Sequence, residues 1–251
     1  MIERQLTDDI LTLRLAHGKA SALDLELCQA LQRELEAAAE SDDVRAVILT
    51  GRGSIFSAGV DLPRLVDAGG GYVQNFIEAF EAMLRALFLF PKPAIAAANG
   101  HAIAGGAILA FACDYRLMCG GRVGVPEALV GVPFPPLALE VSRFAIPRQH
   151  LQPMLYLAKT IEVGEAKEMG IIDEVVAPDD LMRRANEIAR RLASLAPETF
   201  RMTKRQIREP FLRDAAAMSR ASADEIDAMW ASPEAHRRIR DYLARTIGRK
   251  S

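Results

Sequence analysis

Short apolar runs alternate with helix-length amphipathic stretches along the chain as far as Pro178, and few folds accommodate that alternation. Residues 10–15 (ILTLRL) alternate with period two, the pattern of a half-buried strand. Residues 24–39 place Leu27, Cys28, Leu31, Leu35 and Ala38 at helical spacing, with polar and acidic residues between them. Residues 45–50 (RAVILT) form a nearly continuous apolar run ending at Gly51, as expected of a strand covered on both faces. A helix over 72–90 is stopped by Pro91 and Pro93. A strand over 94–98 then leads through a Gly-rich turn into a helix over 105–113, and 115–119 is strand-like again. This order predicts an α/β fold with a mostly parallel sheet.

Beyond Pro178 the character changes. Residues 181–195, 198–211, 223–229 and 234–246 read as four Arg- and Ala-rich helices, separated at Pro197, Pro210 and Pro233. Ser232-Pro233 has the chemistry of a helix N-cap and first position. The predicted organisation is an α/β core over residues 1–190 and a helical segment over 191–251. Half the residues are hydrophobic, enough for a sizeable core without disulfides or metals. A formal net charge of −2 argues against a nucleic-acid partner. Cys28, Cys113 and Cys119 have no metal-ligand spacing and read as reduced thiols. The start of the chain lacks the apolar stretch of a signal peptide. Residues 94–112 are interrupted by Asn99, His101 and glycines, so no membrane span is expected. The expectation is a soluble cytoplasmic protein with no metal and no membrane partner.

Two small-residue turns carry the chemistry. Ser57-Ala58-Gly59-Val60-Asp61-Leu62 and Ala104-Gly105-Gly106 each lie just before a helix start, where backbone N–H groups lack an intrahelical acceptor. Two such N–H groups facing one point make an oxyanion hole. Asp61 reads as the N-cap of a short helix that begins at Leu62-Pro63, a structural role. Gly105 and Gly106 are equally compatible with a close strand–helix crossing. Glu127, read from spacing alone, is a solvated glutamate in a first helical turn. No Gly-x-Ser-x-Gly nucleophile elbow is present.

With these turns, the chain carries Ala98-Asn99-Gly100-His101-Ala102-Ile103 before Ala104, then Cys113-Asp114-Tyr115-Arg116. Val125-Pro126-Glu127, Leu129-Val130-Gly131-Val132-Pro133 and the run 166–176 (AKEMGIIDEVV) follow. In this order, over nearly the whole chain, the sequence resembles the crotonase superfamily, the enoyl-CoA hydratase and isomerase family. The resemblance implies a spiral of ββα units with C-terminal helices that complete the site and build a homotrimer, often paired as a homohexamer. It implies a coenzyme A thioester whose carbonyl oxygen sits between the N–H groups of Val60 and Gly105, with coenzyme A as part of the substrate and no separate cofactor.

The resemblance also assigns Glu127 as the proton-transfer residue. Ile108 stands where the family's hydratases carry a second glutamate, which places the two-carboxylate hydration mechanism in doubt. The arrangement is similar to family isomerases and favours a Δ3 to Δ2 double-bond shift. Hydration, another crotonase-type reaction such as thioester hydrolysis, and non-catalytic acyl-CoA binding are the alternatives. Substrate contacts are expected from Lys19, Ala20, Ser21, Ala22, Ala58, Asp61, Leu62, Gly106, Ile108 and Phe134, with Arg245 toward the coenzyme A phosphates. Leu62, Leu65, Val66, Phe134 and Leu137 are expected to line the acyl pocket, narrowed or reshaped by Phe134-Pro135-Pro136. His101 is read as structural, and His150 and His236 as surface residues.

Overall fold

The computed structural model describes residues 1–247. The elements run β1 (Ile2–Thr7), β2 (Ile10–Leu15), α1 (Leu25–Glu40), β3 (Ala46–Thr50), β4 (Ile55–Ser57), α2 (Leu62–Ala68), α3 (Gly70–Phe88), β5 (Ala94–Ala98), β6 (His101–Ile103) and α4 (Gly105–Phe111). They continue with β7 (Tyr115–Met118), β8 (Arg122–Gly124), α5 (Pro136–Ala145), α6 (Arg148–Tyr156), β9 (Thr160–Glu162), α7 (Val163–Glu168), β10 (Glu174–Val175), α8 (Leu181–Ala193), α9 (Pro197–Trp230) and α10 (Pro233–Ile247).

Successive strand pairs feed two different sheets. β3, β5 and β7 enter a six-stranded sheet of order β1-β2-β3-β5-β7-β10, while β4, β6 and β8 enter a four-stranded sheet of order β4-β6-β8-β9. Each turn of chain therefore adds one strand to each sheet and then a helix, a spiral of ββα units. All pairings are parallel except the β1–β2 hairpin and β8–β9.

The apolar strand runs have a simple cause. Ile10, Ala46, Ile48, Ile95, Ala97 and Leu117 point to one face of the large sheet, where Leu181, Ala185, Ile188 and Ala189 of α8 cover them. Val47, Leu49, Ala94, Ala96 and Ala98 point the other way, into the main core with α1, α3 and α4. Both faces being dry, β3 and β5 are buried along their whole length. Asp24 caps α1 through Leu27 N (2.8 Å) and Ser232 caps α10 through Ala235 N (3.1 Å).

One division differs from expectation. Residues 198–211 and 223–229 belong to a single 34-residue helix, α9, with Pro210 inside it. An interior proline costs about 3 kcal/mol through a lost hydrogen bond and a steric clash. Buried side chains anchor the helix on both sides of it: Lys204 and Arg208 before, Leu212 and Ala215 after. Among the described residues no helix is long and apolar enough to cross a membrane.

Candidate active site

The four-stranded sheet gathers the site. β4, β6 and β8 lie side by side and parallel, so their C-terminal ends emerge on one edge. From those ends come the loop carrying Val60, the turn carrying Gly105, and the 3-10 turn Glu127–Leu129.

Val60 is held by its neighbours. Leu23 N donates to Gly59 O (2.7 Å) and Asp61 N donates to Leu23 O (2.9 Å). Both bonds flank Val60, so its own N–H points to the opposite side of this short extended segment. Ser57 Oγ donates to Ser21 O (2.7 Å) and accepts from Gly59 N (3.2 Å), fixing the loop from beneath. Gly105 is the first residue of α4, where its N–H has no intrahelical acceptor. Ala104 before it has φ 53°, a strained conformation for a residue with a Cβ. Bonds from Ala104 N to Gly124 O (2.8 Å) and from Ile108 N to Ala104 O (3.1 Å) hold it there.

Gly59 shows how closely the two turns meet. It has φ 83°, and a Cβ there would lie 2.7 Å from both Ile103 O and the Ala104 Cβ, and 3.1 Å from Gly105 N. Gly106 is as tight: a Cβ would fall 2.4 Å from Ser57 O, so it serves the packing of α4 on β4. Gly59→Ala is therefore expected to push the turns apart. If the N–H groups of Val60 and Gly105 act as an oxyanion-hole pair, losing one donor lowers kcat about 10²-fold, measured beside a thermal melt of the same variant.

The Val60 loop and the Gly105 turn open onto a cavity that Glu127 also lines. Glu127 is 8% exposed, and its Oε2 has no hydrogen-bond partner among the described residues. Burial pushes its carboxyl up to about 8, against the opposing pull of its own backbone N–H. The solvated glutamate inferred from spacing is thus a buried acid in an apolar recess. Ile108, one helical turn beyond Gly105, also lines the recess and brings no polar atom. Among the described lining residues Glu127 carries the one carboxylate.

Ala58, Val60, Leu62, Gly105, Ile108 and Phe134 all reach the cavity. Leu65, Val66 and Leu137 do not; they are buried in the core, because α2 and α5 turn those faces toward neighbouring helices. Asp61 caps α2 by accepting from Arg64 N (3.1 Å). Lys19 is exposed, while Ala20, Ser21 and Ala22 run beside the Val60 loop, tied to it by Ala58 N donating to Ala20 O (3.0 Å). Arg245 is exposed on the last turn of α10, its Nε donating to Asp241 O (3.2 Å). His101 is exposed on β6, its Nδ1 accepting from Arg122 N (3.2 Å), and does not line the cavity. His150 on α6 and His236 on α10 are half-buried rather than surface residues. No cluster of metal-ligating side chains occurs among the described residues.

Four aromatic walls were not anticipated: Phe76 and Phe80 from α3, Trp230 from the end of α9 and Tyr242 from α10. Phe76 and Phe80 stand four residues apart within the expected 72–90 helix, a spacing that marks a shared face. Trp230 and Tyr242 lie more than a hundred residues from Glu127, and no local pattern connects them.

The chain is similar to a Thermus thermophilus protein named putative enoyl-CoA hydratase, 35% identical over 184 residues, covering 72% of this chain and 71% of that one. It is also similar to the Rattus norvegicus protein named enoyl-CoA delta isomerase 1, mitochondrial, 26% identical over 213 residues, covering 83% and 74%. Its fold superimposes on the human mitochondrial delta3-delta2-enoyl-CoA isomerase with a TM-score of 0.94 at 21% identity, covering 100% of this chain and 99% of that one. With the family model for enoyl-CoA hydratase/isomerase matching residues 6–246, the chain belongs to that family, within the crotonase superfamily.

Proposed function

We propose that this protein is an enoyl-CoA isomerase that moves a Δ3 double bond to Δ2, with Glu127 as its single acid/base. The observation that carries this reading is one buried carboxylate, its Oε2 without a hydrogen-bond partner among the described residues, lining a cavity in which Ile108 supplies no second acid. Addition of water needs groups that hold and activate it, and an apolar wall offers none. A double-bond shift needs one group that removes a proton and returns it.

The thioester carbonyl oxygen lies between the N–H groups of Val60 and Gly105. The Glu127 carboxylate takes a proton from C2, and the electron pair left behind delocalises through the C3–C4 double bond and onto the oxygen. Donors already in place stabilise that charge without reorganisation. Glu127, now a carboxylic acid, returns the proton to C4, leaving the double bond between C2 and C3. Coenzyme A runs along Lys19, Ala20, Ser21, Ala22 and Ala58, with Lys19 and Arg245 as cations for its phosphates. Residues 191–251 act as the assembly region of a homotrimer or homohexamer.

Incubation with 3-enoyl-CoA and 2-enoyl-CoA thioesters tests the reaction. Conversion of the first to the 2-enoyl form without water addition is expected, and fast hydration of the second would overturn the reading. The pH dependence is also expected to have a definite sign. Proton removal needs the carboxylate, and Glu127 holds its proton up to about pH 8. kcat/KM should therefore rise about tenfold per unit below that value and level off above it. A flat profile from pH 6 to 9 would contradict Glu127 as the base.

A further inference from the structure

The cavity beside Glu127 has an internal volume of about 80 Å³. A cavity of about 150 Å³ admits a benzene ring, so this one takes only a few carbon atoms of an acyl group. Its residues differ in depth. Ala58 is exposed and Leu62 and Tyr242 are half-buried, which marks the mouth, whereas Phe76, Phe80, Ile108 and Trp230 are at most 3% exposed and form the inner wall. Phe76 and Phe80 stack with centroids 5.9 Å apart, a rigid side to the recess.

Trp230 is the largest of these side chains and is fixed in place. It ends α9, and its indole Nε1–H donates to Pro133 O at 2.9 Å. Swinging the ring aside would leave a buried donor without an acceptor, a cost that holds the indole in the cavity. Pro133 is followed by Phe134 and Pro135, which also line the recess, so the bond ties the end of α9 to a second lining segment.

We infer that Trp230 is the stop of the acyl pocket and restricts this protein to short acyl groups of about four to six carbons. The inference rests on the cavity being the acyl-thioester site. It needs no commitment to the reaction carried out there.

The test is binding of unreactive saturated acyl-CoA thioesters, from butyryl to dodecanoyl, to the wild-type protein, Trp230→Phe and Trp230→Ala by calorimetry. Each buried methylene contributes about fourfold in affinity. In the wild type the gain should stop near six carbons. In Trp230→Ala it should continue for two or three more methylenes, binding octanoyl-CoA about 10- to 50-fold tighter than the wild type. Trp230→Phe should give a smaller shift in the same direction. Because Trp230 is the chain's only tryptophan, wild-type fluorescence should change on adding butyryl-CoA and stay constant with free coenzyme A. That measurement decides the matter if Trp230→Ala fails to fold.

An unchanged length profile in the folded variants, or fluorescence blind to the acyl group, overturns the stop. Absence of isomerisation together with the expected shift would remove the proposed reaction and leave the stop standing. Isomerisation with an unchanged profile would do the reverse.

Discussion

Glu127→Gln is expected to reduce isomerisation of a 3-enoyl-CoA by about 10³- to 10⁴-fold in kcat while the dissociation constant of a saturated acyl-CoA stays the same. The amide has the size of the acid and fills the same apolar recess, but it neither removes a proton from C2 nor returns one to C4. The donors at Val60 and Gly105 remain, so some rate above the uncatalysed reaction survives. A variant with unchanged kcat would assign Glu127 to packing. Loss of activity through unfolding is distinguishable because the expected effect on stability runs in the other direction. The carboxyl titrates near 4.5 in the unfolded chain and near 8 in the folded one. Between those values the folded protein keeps a proton that the unfolded chain has released. Wild-type stability therefore falls with rising pH, by about 1.4 kcal/mol per unit for this group. Glutamine carries no such dependence. Melting curves of the two proteins should coincide near pH 4 and separate toward pH 8, with the variant the more stable.

How much of this was legible beforehand depends on the length scale of each signal. β3 and β5 announced themselves because both faces are covered, by α8 on one side and α1, α3 and α4 on the other. The four-stranded sheet left no trace. Its strands are three residues each, too short for a period, and they are recognisable only by pairing with segments about 20 to 45 residues away. Yet that sheet aligns Val60, Gly105 and Glu127. The family's motif order supplied the juxtaposition that periodicity lacked. Local rules misjudged Pro210, because a proline's cost is local whereas the packing of Arg208 and Leu212 around it is tertiary. They misjudged Leu65, Val66 and Leu137 for the same reason: apolar residues near a site read alike whether they face a ligand or the core. Burial of Glu127 was invisible in spacing, since elements from far along the chain close over it.

The anchor of α9 is expected to be the most sensitive point for stability, and Asp114→Ala should show it. Asp114 accepts from Lys204 Nζ (2.8 Å), Arg208 Nη2 (2.8 Å) and Ala94 N (2.8 Å), joining the start of β5 to the long helix. Arg208 also donates to Phe88 O (2.6 Å), Ala112 O (2.9 Å) and Cys113 O (3.1 Å), with its guanidinium over the rings of Phe88 and Phe144. Removing the carboxylate strands two buried cations together. Breaking such a pair costs about 3–5 kcal/mol, mostly the penalty of an uncompensated charge. For a chain of this size that corresponds to a fall of about 10 °C or more in Tm. The pH response identifies the cause. Burial already lowers Lys204 to about 8, so the unfolded chain binds the extra proton and stability rises with pH above that value. Without Asp114 the lysine loses its proton more readily, and the variant should recover part of its stability on going from pH 6 to 9. Arg205→Ala, on the exposed side of the same helix with Glu209 at 3.6 Å, should leave the melting curve unchanged at either pH. If the two variants melt alike, the cluster is not what fastens α9, and the placement of Trp230 at its end depends on the contacts with α5 instead.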